Sequence, residues 1–117
     1  MTTVFPRADY KTIEPTLLAG TTKTLCYTVG DDNEDWADVT GILIVGAGAC
    51  RIHCKLSASG TERLLNDDVT VEAGYPHMIE GLPIHMEAGG TISAEGVANQ
   101  VIWIGLHRGQ KDDTSGQ

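Results

Sequence analysis

The segment that most constrains the fold is residues 82–109. It reads Leu-Pro-Ile-His-Met-Glu-Ala-Gly-Gly-Thr-Ile-Ser-Ala-Glu-Gly, a short polar step, then Gln-Val-Ile-Trp-Ile-Gly-Leu-His-Arg-Gly. The pattern is strand, Gly-Gly turn, short strand, second turn and a final buried strand, the way antiparallel sandwiches and jelly rolls end. The segment carries no obvious catalytic group, so it bears on architecture before chemistry.

The remainder of the chain repeats this rhythm. Residues 22–29 alternate, with Lys23, Leu25, Tyr27 and Val29 on one face and Thr22, Thr24, Cys26 and Thr28 on the other. Residues 39–45 form a nearly continuous apolar run, expected as a buried strand, and Gly46-Ala47-Gly48 turns the chain. Residues 49–56 alternate again, with Cys50, Ile52, Cys54 and Leu56 inward and Arg51, His53 and Lys55 outward. Short strands follow at 61–65, 68–71, 75–79, 84–87, 91–94 and 100–107, with turn signals between them. No segment carries a long 3.6-residue apolar stripe. With 14 glycines and many Thr and Val residues, the expectation is an all-β antiparallel sandwich or jelly roll of about eight or nine short strands.

A length of 117 residues suits a single domain. Residues 1–20, with Pro6, Pro15 and scattered charge, read as an extended N-terminal arm that packs on its own domain or reaches a neighbour. Residues 21–109 are the sandwich and 110–117 a flexible polar tail. No apolar run approaches the roughly 20 residues of a membrane span, and the N-terminus lacks the pattern of a secretory signal. The 16 acidic against 8 basic residues give a net charge of −8, which repels phosphate backbones and argues against nucleic acid as a partner.

Cys26, Cys50 and Cys54 are an odd set. Cys50 and Cys54, four apart on a strand, have Cα atoms about 13 Å apart, too far for a disulfide or a shared zinc. They are expected as buried free thiols in a reducing compartment. Among His53, His77, His85 and His107 no His-x-His pair occurs. A cupin-like metal site would need His77 and His85 to converge with Glu80 or Glu87, and no metal or other cofactor is assigned.

The acidic stretch 30–38 reads as a solvated loop. Asp31, Asn33 and Asp35 have the spacing that opens a calcium loop, but Trp36 replaces the turn glycine and Ile42 the closing glutamate. Gly46-Ala47-Gly48 follows a strand, yet Arg51 holds the third glycine position of a dinucleotide fingerprint. No nucleophile-elbow, phosphate-loop or zinc-protease pattern occurs, so the chain is read as non-enzymatic.

Taken together, four pieces resemble small structural proteins of tailed-bacteriophage virions. They are an arm running into Leu17-Leu18-Ala19-Gly20-Thr21-Thr22-Lys23-Thr24-Leu25, the stretch Val39-Thr40-Gly41-Ile42-Leu43-Ile44-Val45-Gly46, the step Ala58-Ser59-Gly60-Thr61-Glu62-Arg63, and the closing Met86-Glu87-Ala88-Gly89-Gly90-Thr91-Ile92-Ser93-Ala94. The resemblance implies a jelly-roll module, trimeric, that decorates or cements a capsid by binding the major capsid protein within the virion, after assembly in the host cytoplasm. It carries no catalytic set. Interface candidates are the aromatics Phe5, Tyr10, Trp36 and Tyr75. The alternatives are a receptor- or carbohydrate-binding tail or fibre tip, with Trp36, Tyr75 and the acidic stretch around one patch, and a cupin-like metal binder.

Overall fold

A computed structural model of the chain describes residues 8–32, 34–66, 69–79 and 83–110. Its strands are β1 (Ala8–Leu17), β2 (Thr24–Asp32), β3 (Glu34–Val45), β4 (Gly48–Lys55), β5 (Arg63–Leu64), β6 (Val69–Val71), β7 (His77–Ile79), β8 (Ile84–Glu87), β9 (Thr91–Glu95) and β10 (Val101–Gln110). No helix occurs among the described residues.

The strands form two antiparallel sheets. The first runs β1-β10-β3, with β7 and β8 end to end along the outer edge of β3. The second runs β2-β9-β4, with β5 and β6 sharing the edge of β4 in the same way. The pairs β1–β10, β2–β9 and β3–β8 nest inside one another, as in a long hairpin rolled up on itself. This is jelly-roll winding, and it is the antiparallel sandwich that the turn spacing predicts.

Alternation decides what fills the space between the sheets. On β10, Ile102, Ile104 and Leu106 point inward, and on β3, Val39, Ile42 and Ile44 do. Opposite them lie Tyr27, Val29, Cys50, Ile52, Cys54, Ile92 and Ala94 of the second sheet. Each fully buried isoleucine or leucine contributes about 1.5–3 kcal/mol through removal of apolar surface from water. The Gly-Gly turn between β8 and β9 is required by geometry. Gly89 has φ +88°, and a Cβ there would run into Ala58.

Four expectations need correction. Residues 8–17 of the predicted arm are the edge strand β1, paired with β10 from Ala8↔Gly109 to Leu17↔Val101. They add a strand to their own sheet, as the partnering of β10 on both sides requires. The acidic stretch is strand on both sides of residue 33, because the crossing from β2 to β3 is short and Glu34 and Asp38 have partners within the fold. Leu25 is exposed although Tyr27 is buried, because a bulge at Cys26 shifts the register against β9 and reverses which face the strand presents. Leu56 is exposed because β4 ends at Lys55 and the chain turns away.

Candidate functional site

The two outer faces of the sandwich differ in chemistry. On the second sheet, Arg51, His53 and Lys55 alternate outward along β4 as expected. Lys23 donates to Glu62 at 2.6 Å, and the ring nitrogens of His53 lie 3.6 Å from Glu62 and 3.3 Å from Glu95. The hydrogen bond from Lys23, more than any other group, holds the Glu62 carboxyl below the usual range. Leu25 and Leu64, both exposed and in the same row as His53, stand among these charges, so the face is a mixed one.

The first sheet presents something else. Its outward residues fall in rows across the strands. Leu17, Val101 and Val45 form one row, and Trp103, Leu43 and Met78 the next. Thr12, Gly105 and Gly41 form the third, and Tyr10, His107, Asp38 and His85 the fourth. Leu17 is 64% exposed, Met78 45% and Trp103 40%, which is high for large apolar side chains on one surface. A groove of about 480 Å³ runs over the glycines between Tyr10 and Trp103. On β10, β3 and β7 the first three rows carry no ionisable side chain.

The fourth row and the strand ends are polar and aromatic. The rings of Tyr10 and His107 meet edge to face at 5.3 Å, and His85 pairs through Nδ1 with the Asp38 carboxylate. Trp36 lies half-buried, its indole over Gly109 and 5.9 Å from the His85 ring.

Of the predicted interface aromatics, Tyr10 and Trp36 stand at one end of this face. Tyr75 is exposed in the turn between β6 and β7, at the other end of β3, and Phe5 lies outside the described residues. Trp36 and Tyr75 therefore do not share a patch. His77 and His85 do not converge either. They pair opposite Ile44 and Asp38, six residues or about 20 Å apart along β3. Glu87 pairs opposite Trp36, and Glu80 and Asn33 are outside the described residues. Among the described residues no group of three His, Cys, Asp or Glu side chains could hold a metal ion.

Trp103 and Leu43 are functional candidates that the strand reading misses, because it treats the run at 39–45 and the closing strand at 100–107 as buried; Met78 stands beside Leu43 on β7. The signal was present. With Ile102, Ile104 and Leu106 inward, Val101, Trp103 and Gly105 must face out.

The thiols are inward and unpaired with one another, Cys50 and Cys54 buried and Cys26 half-buried. Burial, and secondarily the nearby Cys26, pushes the Cys50 thiol up to about 11, and burial raises the thiols of Cys26 and Cys54 as well. Folding thus favours the neutral thiol. That contribution to stability is complete below the ordinary thiol value of 9.0 and is lost as pH rises toward about 11. A thiol-exchange reagent at pH 8 is expected to leave Cys50 and Cys54 unmodified in the folded chain and to label all three cysteines in urea. Rapid labelling of Cys50 in buffer would show that the core opens there.

The fold is a jelly-roll sandwich whose first sheet presents three neutral rows on β10, β3 and β7. No protein-family model and no curated protein matches the chain. Among solved structures, a chain of the Bacillus endospore appendages, which "form a novel family of disulfide-linked pili", is similar in fold. Its identity is 17%, the match covers 93% of this chain and 91% of that one, and the TM-score is 0.51.

Proposed function

We propose that the chain is a non-enzymatic structural module that docks onto other protein through the outer face of the first sheet. The observation that carries this reading is the outer face of the first sheet, whose first three rows on β10, β3 and β7 hold no ionisable side chain and which exposes Leu17, Trp103 and Met78 around a glycine-floored groove. Contiguous apolar surface of this kind marks a contact site.

The likeness to a pilus chain supports a role in building or coating an assembly, although the pili's disulfide linkage does not carry over to Cys50 and Cys54, which are buried. The capsid-decorating module expected from sequence, bound to the major capsid protein, is one member of this class.

Antibody raised against the chain tests the reading by immunoelectron microscopy of material from its source. Regular label on the surface of a protein shell or filament is expected. A chain carrying both Leu43→Lys and Trp103→Lys should fold yet lose that label. Label confined to soluble material would overturn the reading.

A further inference from the structure

We propose that the flank of the sandwich between β5 and β8 holds a binding site for a small amphipathic carboxylate, with its apolar chain seated between the sheets and its head group paired with Arg63. The site is separate from the outer face of the first sheet and does not depend on it.

Sheet order places β5 at the edge of the second sheet and β8 at the edge of the first. β5 has only two residues, Arg63 and Leu64, so the second sheet is cut short there. A cavity of about 450 Å³ opens at this flank, lined by Cys54, Leu56, Thr61, Arg63, Leu65 and Ile84. Its size lies within the roughly 300–1,000 Å³ of small-molecule sites, whose walls are mostly apolar with a few placed polar groups.

Alternation explains the wall. Cys54 faces the core, and Leu56, two residues on, leaves the chain on the same side. Leu65 and Ile84 are half-buried against the core from the two sheets. The backbone fixes the frame. The Leu65 N–H donates to the Ile52 carbonyl and the Glu87 N–H to the Leu56 carbonyl, both at 2.8 Å, and the Gly60 N–H closes a turn onto the Ser57 carbonyl at 3.0 Å. Leu56 is 51% exposed at the rim, an apolar side chain that an occupant would cover.

Arg63 defines the occupant. It pairs directly opposite Cys54. Residues opposite each other on antiparallel strands share a face, so the Arg63 side chain leaves the sheet on the inner side, toward the cavity. Glu62 goes to the outer side, where it meets Lys23 and His53. The chain has 16 acidic residues against 8 basic ones, so a basic side chain readily finds a carboxylate. Among the described residues none pairs with Arg63. A guanidinium presents a planar fork that matches a carboxylate. At the mouth of an apolar cavity, an unpaired one selects a ligand with an apolar chain and an anionic end.

The acidic balance of the chain does not oppose this. Arg63 is the one charged side chain in the wall, since burial keeps the Cys54 thiol neutral. Carboxylates farther off than about 8 Å are screened at physiological ionic strength, whereas the guanidinium acts at contact. An inward-facing charge on an edge strand has one other use, which is to deter a further strand from pairing there. That use requires no ligand, and the test separates the two.

Methyl-resolved NMR of the full chain, titrated with octanoate, octanol and acetate, tests the proposal. Octanoate is expected to shift the methyl signals of Leu56, Leu65 and Ile84 and to reach half-saturation at about 1 mM or below, in keeping with the affinity per atom of small ligands. Acetate, which lacks the chain, should leave them in place over the same range. Arg63→Gln is expected to weaken octanoate by about 10-fold and to leave octanol unchanged, since only the charge-assisted hydrogen bond is lost. Thr61→Trp fills the mouth and is expected to abolish binding of both. Both substituted positions are exposed, so the circular dichroism should not change.

No saturable shift with octanoate, or shifts centred instead on Leu17, Leu43 and Met78, would overturn the proposal. So would an Arg63→Gln chain that binds octanoate like wild type, which would leave Arg63 as a guard of the strand edge, or one that loses octanol equally.

Discussion

Replacing Arg108 with methionine is expected to lower the unfolding free energy by about 3–5 kcal/mol, the usual cost of leaving a buried charge without its partner. Glu34 is 1% exposed at the start of β3. The Tyr27 hydroxyl donates to its Oε1 at 2.8 Å, and Arg108 Nη1 donates to its Oε2 at 3.3 Å. One residue from each of β2, β3 and β10 thus meets at this end of the sandwich, and the second sheet is tied to the first through Tyr27.

Methionine keeps the stem volume of arginine and removes the charge, which isolates the electrostatic effect from packing. Tyr27→Phe should cost less, about 1–2 kcal/mol, since the ion pair survives. Glu34→Leu combined with Arg108→Met should recover much of the loss of the single arginine change, because no buried charge is then left over. Urea unfolding at pH 7 gives all of these values. A cost below about 1 kcal/mol for Arg108→Met would show that Glu34 finds water or another cation when the guanidinium is gone.

This cluster also shows where the sequence was readable and where it was not. Strand alternation is local, so the inward positions Cys50, Ile52 and Cys54 of β4 follow from the order of residues, as does the sandwich class. Alternation fails where a strand carries an extra residue. The bulge at Cys26 placed Leu25 on the wrong face, and the register slip beside Thr40 separates the inward pair Ala37 and Val39 from Ile42 and Ile44. A bulge is set by the partner strand, which a single sequence does not name.

The stretch 34–38 looked like a solvated loop because its charges suit one. Its status as strand depends on Arg108 and His85, 74 and 47 residues away in sequence. Residues 8–17 had no clear periodicity because β1 is an edge strand with an irregularity between Ile13 and Thr16, where Glu14 and Pro15 interrupt the pairing.

The candidate face was half legible for a related reason. An apolar run on a central strand has two explanations: both faces buried, or one face buried and the other waiting for a partner. The run at 39–45 and the closing strand at 100–107 read from sequence as the first. What separates the cases is the opposite surface of the sheet, and here no layer of the chain's described residues covers it. The sequence likewise singles out Phe5, Tyr10, Trp36 and Tyr75 as interface aromatics and passes over Trp103. Trp36 has a home over Gly109, and Trp103 does not.

The other large effect is expected at Gln100, which is fully buried where the turn into β10 meets two other segments. Its Nε2 donates to the carbonyls of Gly46 and Gly48, both at 3.1 Å, and its Oε1 accepts the Val97 N–H at 2.9 Å. Its own carbonyl accepts the Leu18 N–H at 2.8 Å, fastening the end of β1 to the same point. A side chain on Gly96 would collide with the Gln100 amide, so that glycine is required by packing, unlike Gly41.

Gln100→Leu keeps the approximate volume and leaves two carbonyls and one N–H without their partner. At about 1–3 kcal/mol for each buried group, and with the glycine carbonyls partly reachable by water, a loss of about 3 kcal/mol or more is expected. Gln100→Glu separates hydrogen bonding from shape. Its carboxylate would face the same two carbonyl oxygens, so folding must favour the protonated form and raise its pKa. The sign follows: Gln100→Glu is least damaging below the ordinary carboxylate range and loses further stability as pH rises toward neutral, whereas Gln100→Leu is equally damaging at pH 4 and pH 7. Urea midpoints of both variants at the two pH values measure this. Equal midpoints for Gln100→Glu at both would mean that the turn rearranges and that the glutamine amide does not hold the three segments together.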